Sequence, residues 1–147
     1  MIGYVYEKVV KKRHVLQMTD IEKDYLNSII RPQMRKQFNK HKPLSEHTLD
    51  RLQSKFDIVP TVYDIEDVLF NGNIIEYKEI YTNNKLTDKR IVVRKGIHNN
   101  KYDLVLVYSV KWNKVVTAWK NELSDNHRTL DLRLYDNNPL IETLDEG

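Results

Sequence analysis

The chain has 147 residues, 40% hydrophobic and 31% charged, with a formal net charge of +3. That is the length of one domain, enough to bury a core without disulfide or metal staples. It has no cysteine, which excludes a disulfide framework, a thiol nucleophile and a thiolate zinc site, and its nine tyrosines and two tryptophans argue against disorder.

The N-terminus, MIGYVYEKVVKKRH, lacks the apolar stretch of a signal peptide, and no apolar run reaches membrane-spanning length. The expectation is a cytoplasmic chain with no membrane association. Its charge is uneven. Lys8, Lys11, Lys12, Arg13, Arg31, Arg35, Lys36, Lys40 and Lys42 give the front of the chain a basic excess, while 136–147 is acidic. Basic clusters attract phosphate backbones by releasing counterions, and they also make ordinary solvated helix faces. The chain divides into a basic helical segment, 1–44, packed on or extending the core; an α+β core, 45–135; and an acidic tail, 136–147.

In chain order, residues 1–15 are short, mixed and open to an extended reading. Thr19 caps a helix, with Asp20 and Glu22 suited to its first turn. Ile21, Tyr25 and Ile29, joined by Leu26 and Ile30, form its apolar stripe. Pro32 kinks this helix or starts a second one through Met34 and Phe38. Residues 39–44 are a basic connector ending in Pro43-Leu44.

Ser45 caps the next helix, with Leu49, Leu52 and Phe56 as its core stripe. His47 and Arg51 are four apart and share a face off that stripe, directed to solvent or a cleft. Residues 59–62 are a loop. A short helix from Asp64 turns Ile65, Val68 and Leu69 inward and ends at Asn71-Gly72, in the manner of a glycine C-cap.

The period then changes to two. Residues 74–81 read as a strand, 82–88 as a turn and 89–95 as a strand with Arg90, Val92 and Arg94 on one face. Residues 96–101 read as a turn. Residues 102–109 are apolar at nearly every position, the pattern of a central strand covered on both faces. Residues 111–114 turn, with Asn113 as pivot. On the strand after it, period two places Val115, Thr117 and Trp119 together and Val116 and Ala118 opposite. Residues 130–135 offer a last strand. Helices followed by neighbouring hairpins make an α+β fold with a mainly antiparallel sheet of four to five strands. Trp112, Trp119 and the tyrosines read as core or sheet packing.

Four segments fall in a suggestive order: SEHTLDRLQSKF (45–56), DIEDVLFNG (64–72), RIVVR (90–94) and KVVTAW (114–119). In that order they resemble small domains of the barnase–EndoU–colicin–RelE superfamily of metal-independent ribonucleases. The likeness covers about 44–121. It implies cleavage of RNA, tRNA or mRNA, by 2′-hydroxyl attack that leaves a 2′,3′-cyclic phosphate, with no metal and no cofactor. Carried over by position, the resemblance makes His47 a general acid or base and sets Arg51 with Arg94 or Arg90 on the phosphate. Thr117 would donate to the phosphate or orient the histidine, and Trp119 would stack on a base. Trp119 has no hydroxyl, so a tyrosine proton at this point of the pattern is missing. Asn121, His127 or Thr129 could assist from a segment folded over the cleft.

The likeness implies a toxin or phage-type effector, with RNA as partner and a cognate antitoxin, immunity or host protein beside it. The alternative is a nuclease-like module without catalysis that binds RNA or a host protein, and a third reading is a plain interaction module. Catalysis requires His47, Arg51, Arg94 and Thr117 to converge within reach of one phosphate. A module without catalysis tolerates a basic cleft with one member missing, and a plain interaction module scatters these residues. The ribonuclease hypothesis as a whole fails if the His47 helix packs on the sheet face opposite Thr117.

Overall fold

The computed structural model describes residues 7–56, 58–97, 102–121 and 132–140. Five strands, β1 (Lys8–His14), β2 (Asn73–Thr82), β3 (Lys85–Ile97), β4 (Tyr102–Ser109) and β5 (Lys114–Asn121), form one sheet in chain order. Every neighbouring pair is antiparallel. Between β1 and β2 the chain forms α1 (Asp20–Tyr25), a π-helical turn (Leu26–Ile30), α2 (Arg31–Gln37), α3 (Glu46–Lys55) and α4 (Val62–Asn71). The architecture is α+β, with the helices followed by antiparallel strands and one strand, β1, ahead of them. No helix among the described residues is long and apolar enough to cross a membrane.

The helices sit on one face of the sheet. Tyr25, Leu26, Ile30 and Met34 from the first helical stretch, Leu52 from α3 and Ile65, Val68 and Leu69 from α4 share a core with Ile91, Val93, Leu104, Leu106, Val115 and Ala118 of the sheet. Each fully buried Val, Leu, Ile or Met among them contributes about 1.5–3 kcal/mol. The other face carries a smaller cluster: Val92, Val105 and Val107, with Ile75, Val116 and Trp119 packed on it. β4 is therefore apolar on both faces because both are covered, as its continuous apolar run predicts.

Local chemistry sets the ends of the helices. Thr19 and Glu22 form a capping box on α1, and Thr61 and Asp64 form another on α4. α4 thus starts at Val62, two residues before the expected Asp64. Gly72 ends it with φ −73°, outside the left-handed region. Glycine is required there for space: a Cβ would lie 2.4 Å from the Val68 carbonyl oxygen and 3.0 Å from that of Arg94.

Several expectations are corrected. Ile21, Ile29 and Leu49 are exposed, while Glu22 and Thr48 are buried. The buried stripe of the first helical stretch is Glu22, Tyr25, Leu26 and Ile30, and α3 turns Thr48 and Leu52 inward. The expected 82–88 turn is only Asn83-Asn84, both at positive φ (51° and 66°), and β3 begins at Lys85. The described part of the expected last strand, Leu132–Leu134, is a 3-10 turn.

β5 differs in its facing. Tyr108 pairs with Val115 and Val107 with Thr117, so Val116 is the extra residue of a β-bulge. The bulge sends Val115 to the helix-bearing face with Ala118 and leaves Val116 with Trp119 on the other. The edge of β1 is met by the segment around Asp136. Asp136 receives a hydrogen bond from the Lys12 N–H at 2.7 Å and donates its own N–H to the Lys12 carbonyl at 2.8 Å. Leu140 reaches the main core.

Candidate nucleic-acid interface

The sheet divides the residues that the resemblance singled out. On β3, Arg90 and Arg94 share the side of Val92, away from the helices. On β5, Thr117 lies opposite Val107, Trp119 opposite Val105 and Asn121 opposite Asp103, all on that same side. His47 and Arg51 belong to α3, whose Leu52 packs into the core on the other face. Both are exposed, and neither side chain has a hydrogen-bond partner among the described residues. The structure thus groups five of these residues on one side and two on the other. His127 and Thr129 lie outside the described residues.

The two arginines are already engaged. Arg90 Nε donates to Asp88 Oδ2 at 2.8 Å, and Arg94 Nε donates to Asp103. Trp119 is half-buried against the small valine cluster. These contacts account for the outer face as sheet packing with ion pairs across it.

A different surface collects free cations around an aromatic. The β4–β5 turn carries Lys111, Trp112 and Asn113, Lys114 opens β5, and Asn113 is the pivot at φ 53°. Asp88 and Ser109 hold this turn rigid. Ser109 Oγ donates to Asp88 Oδ2 at 2.8 Å and accepts from the Trp112 N–H at 3.1 Å, while the Lys111 N–H reaches Asp88 Oδ1 at 3.1 Å. Trp112 is 57% exposed, and Lys111 Nζ stands 5.0 Å from the centre of its ring. This corrects the reading of Trp112 as core packing: the turn lifts its indole out of the sheet.

The basic connector is fastened beside this turn. The Val115 N–H donates to the Pro43 carbonyl at 2.8 Å, and the Ser45 N–H to the Val115 carbonyl at 2.9 Å. Leu44 and Val115 form a one-residue parallel bridge. Phe38 anchors the connector's start, its ring 5.8 Å from that of Phe70 and 6.4 Å from that of Tyr108. Asn39 then folds the chain back, its Oδ1 accepting from the His41 N–H at 2.9 Å. Lys40, His41 and Lys42 are left exposed next to the turn. Lys40, Lys42, Lys111 and Lys114 have no ion pair among the described residues.

The arrangement is an exposed indole on a rigid turn with unpaired ammonium groups on two adjoining segments. Such a surface can stack a base and hold the flanking phosphates. The signal in the sequence was the tetrapeptide Lys-Trp-Asn-Lys, an aromatic between lysines inside a turn. Among the described residues no group of three or more histidines and carboxylates could hold a metal ion. Compared with models of protein families, with curated proteins and with solved structures, the chain matches none.

Proposed function

We propose that this protein is an RNA-binding module whose contact surface is the Trp112 turn and the adjoining Lys40–Lys42 connector. One observation carries the reading: Trp112 is 57% exposed on a turn fixed by three hydrogen bonds, with Lys111 over its ring. Surface lysines alone are usually solvated. A large indole held out of the core on a rigid turn gives them a partner chemistry, because every base offers a π-face. Stacking requires an unstacked base, so the preferred form is single-stranded RNA.

The likeness to metal-independent ribonucleases motivates RNA as the polymer. Cleavage by His47, Arg51, Arg94 and Thr117 acting as one centre would need them around one phosphate. α3 and Thr117 stand on opposite faces of the sheet, and Arg94 is occupied by Asp103. Binding without cleavage by that set is therefore the reading the geometry supports best.

The test is fluorescence anisotropy with a short labelled single-stranded RNA in excess EDTA, the same RNA then being run on a denaturing gel. The wild-type chain binds and the RNA stays intact. Trp112→Ala weakens binding by about 5- to 150-fold, corresponding to loss of one stacked base at roughly 1–3 kcal/mol, and His47→Ala leaves it unchanged. Absence of binding, or equal binding by Trp112→Ala, rejects the proposal. Cyclic-phosphate products that vanish in His47→Ala would instead establish the ribonuclease.

A further inference from the structure

A second feature lies away from this surface, where the π turn faces the junction of α4 and β2. A cleft of about 560 Å³ opens there, within the size range of small-molecule sites. Lys23, Asn27, Arg31, Asn71 and Asn73 form its polar part, and no carboxylate lines it among the described residues. Met18, Leu26 and Ile75 form part of its apolar wall.

Two backbone irregularities meet at this cleft. Leu26 and Asn27 begin the π-helical turn. Ile75 is the unpaired residue of a bulge in β2, between Ile74 opposite Val93 and Glu76 opposite Val92. Irregularities of both kinds concentrate at functional sites, because each sacrifices regular pairing to re-aim side chains.

Arg31 is the second, independent observation. It is 9% exposed, with no ion pair among the described residues. Its Nη1 donates to the Phe70 carbonyl at 2.9 Å and its Nη2 to the Gly72 carbonyl at 2.8 Å, while its Nε has no partner among the described residues. The guanidinium thus caps the end of α4 yet keeps an uncompensated charge beside the cleft. Burial, with Arg35 nearby, disfavours that charge and lowers its pKa. Asp67 adjoins through Asn71, which donates to it at 2.9 Å, but Asp67 is already engaged by Lys95.

We propose that this cleft binds a small organic anion, a carboxylate or phosphate on a compact apolar body. Arg31 and Lys23 meet the anionic group, and Met18, Leu26 and Ile75 take the body. The two charges make an anion the complementary ligand, and the apolar wall makes a bare inorganic ion a poor one.

The experiment is an amide-shift titration of the full chain by heteronuclear NMR with phenyl phosphate, benzoate, benzyl alcohol and inorganic phosphate. Phenyl phosphate or benzoate produces saturable shifts at Lys23, Asn27, Asn71 and Ile75, and the tighter of the two identifies the anion. Benzyl alcohol and inorganic phosphate bind at least about tenfold more weakly. Lys23→Ala, an exposed position, lowers the affinity about tenfold while the rest of the spectrum is unchanged. The proposal is overturned if neither anion saturates these amides up to about 10 mM. It is equally overturned by shifts that map elsewhere, by equal binding of benzyl alcohol, or by Lys23→Ala binding as wild type.

Discussion

Arg13 carries a full charge with 1% of its surface exposed, and so does Glu22. Their pairing is bidentate, Nε to Oε2 at 3.0 Å and Nη2 to Oε1 at 2.9 Å. Two further guanidinium protons go to the carbonyls of Asp136 at 2.6 Å and Gln17 at 2.5 Å. One side chain thus ties β1 to α1 and to the segment around Asp136. Glu22→Ala strands the buried guanidinium and should lower stability by about 3–5 kcal/mol in urea unfolding; a change under about 1 kcal/mol would mean that the pair is solvated. Tyr108 presents the opposite case. It is 1% exposed, its hydroxyl has no hydrogen-bond partner among the described residues, and burial pushes its pKa up from 10.0 to about 12. Because the folded pKa is the higher, its contribution is intact below about pH 10 and is lost as pH rises towards 12. Tyr108→Phe should therefore be neutral or stabilising at pH 7, by up to about 2 kcal/mol, and should flatten the loss of stability above pH 10. A neutral-pH loss above about 1 kcal/mol would show that the hydroxyl is paired.

At the scale of elements, the turn Asn83-Asn84 shows how little chemistry a hairpin needs. Both residues adopt positive φ, which asparagine tolerates and β-branched residues do not. Asn84→Val should cost about 1–2 kcal/mol, seen as a lowered thermal midpoint; an unchanged midpoint would reject the strained turn. The same dipeptide was legible only as part of a longer turn, because the flanking Thr82 and Lys85 are polar yet extended. Elsewhere period and caps sufficed. Thr19, Ser45 and the apolar run of β4 announced their elements, and Arg90, Val92 and Arg94 share a face as period two requires. Period two failed on β5, where the bulge at Val116 parts Val115 from Thr117. The α1 stripe failed because Glu22, expected only to suit the first turn, is buried by its pairing with Arg13. Neither event is local: the bulge is defined against β4 and the ion pair against β1. For the same reason the His47 helix could not be assigned to a sheet face from its own residues.

For the whole molecule, the sheet works as a partition. Its helix-bearing face holds the main core, and its other face holds the valine cluster with Arg90 and Arg94 paired to acids. Lys40, Lys42, Lys111 and Lys114, without ion pairs among the described residues, lie where the connector crosses to β5, beside Trp112. The basic excess that the sequence shows before Ser45 thus joins lysines more than sixty residues later, through the two hydrogen bonds of Val115. Whether RNA stacks on Trp112 is the point on which this account turns, and the chain has only two tryptophans. In Trp119→Phe, Trp112 is the sole indole and reports directly on contact. Single-stranded RNA should quench its emission saturably, with the midpoint seen by anisotropy, and added salt should reverse both together. Emission that stays constant while anisotropy records binding would contradict it, placing the RNA elsewhere on the protein.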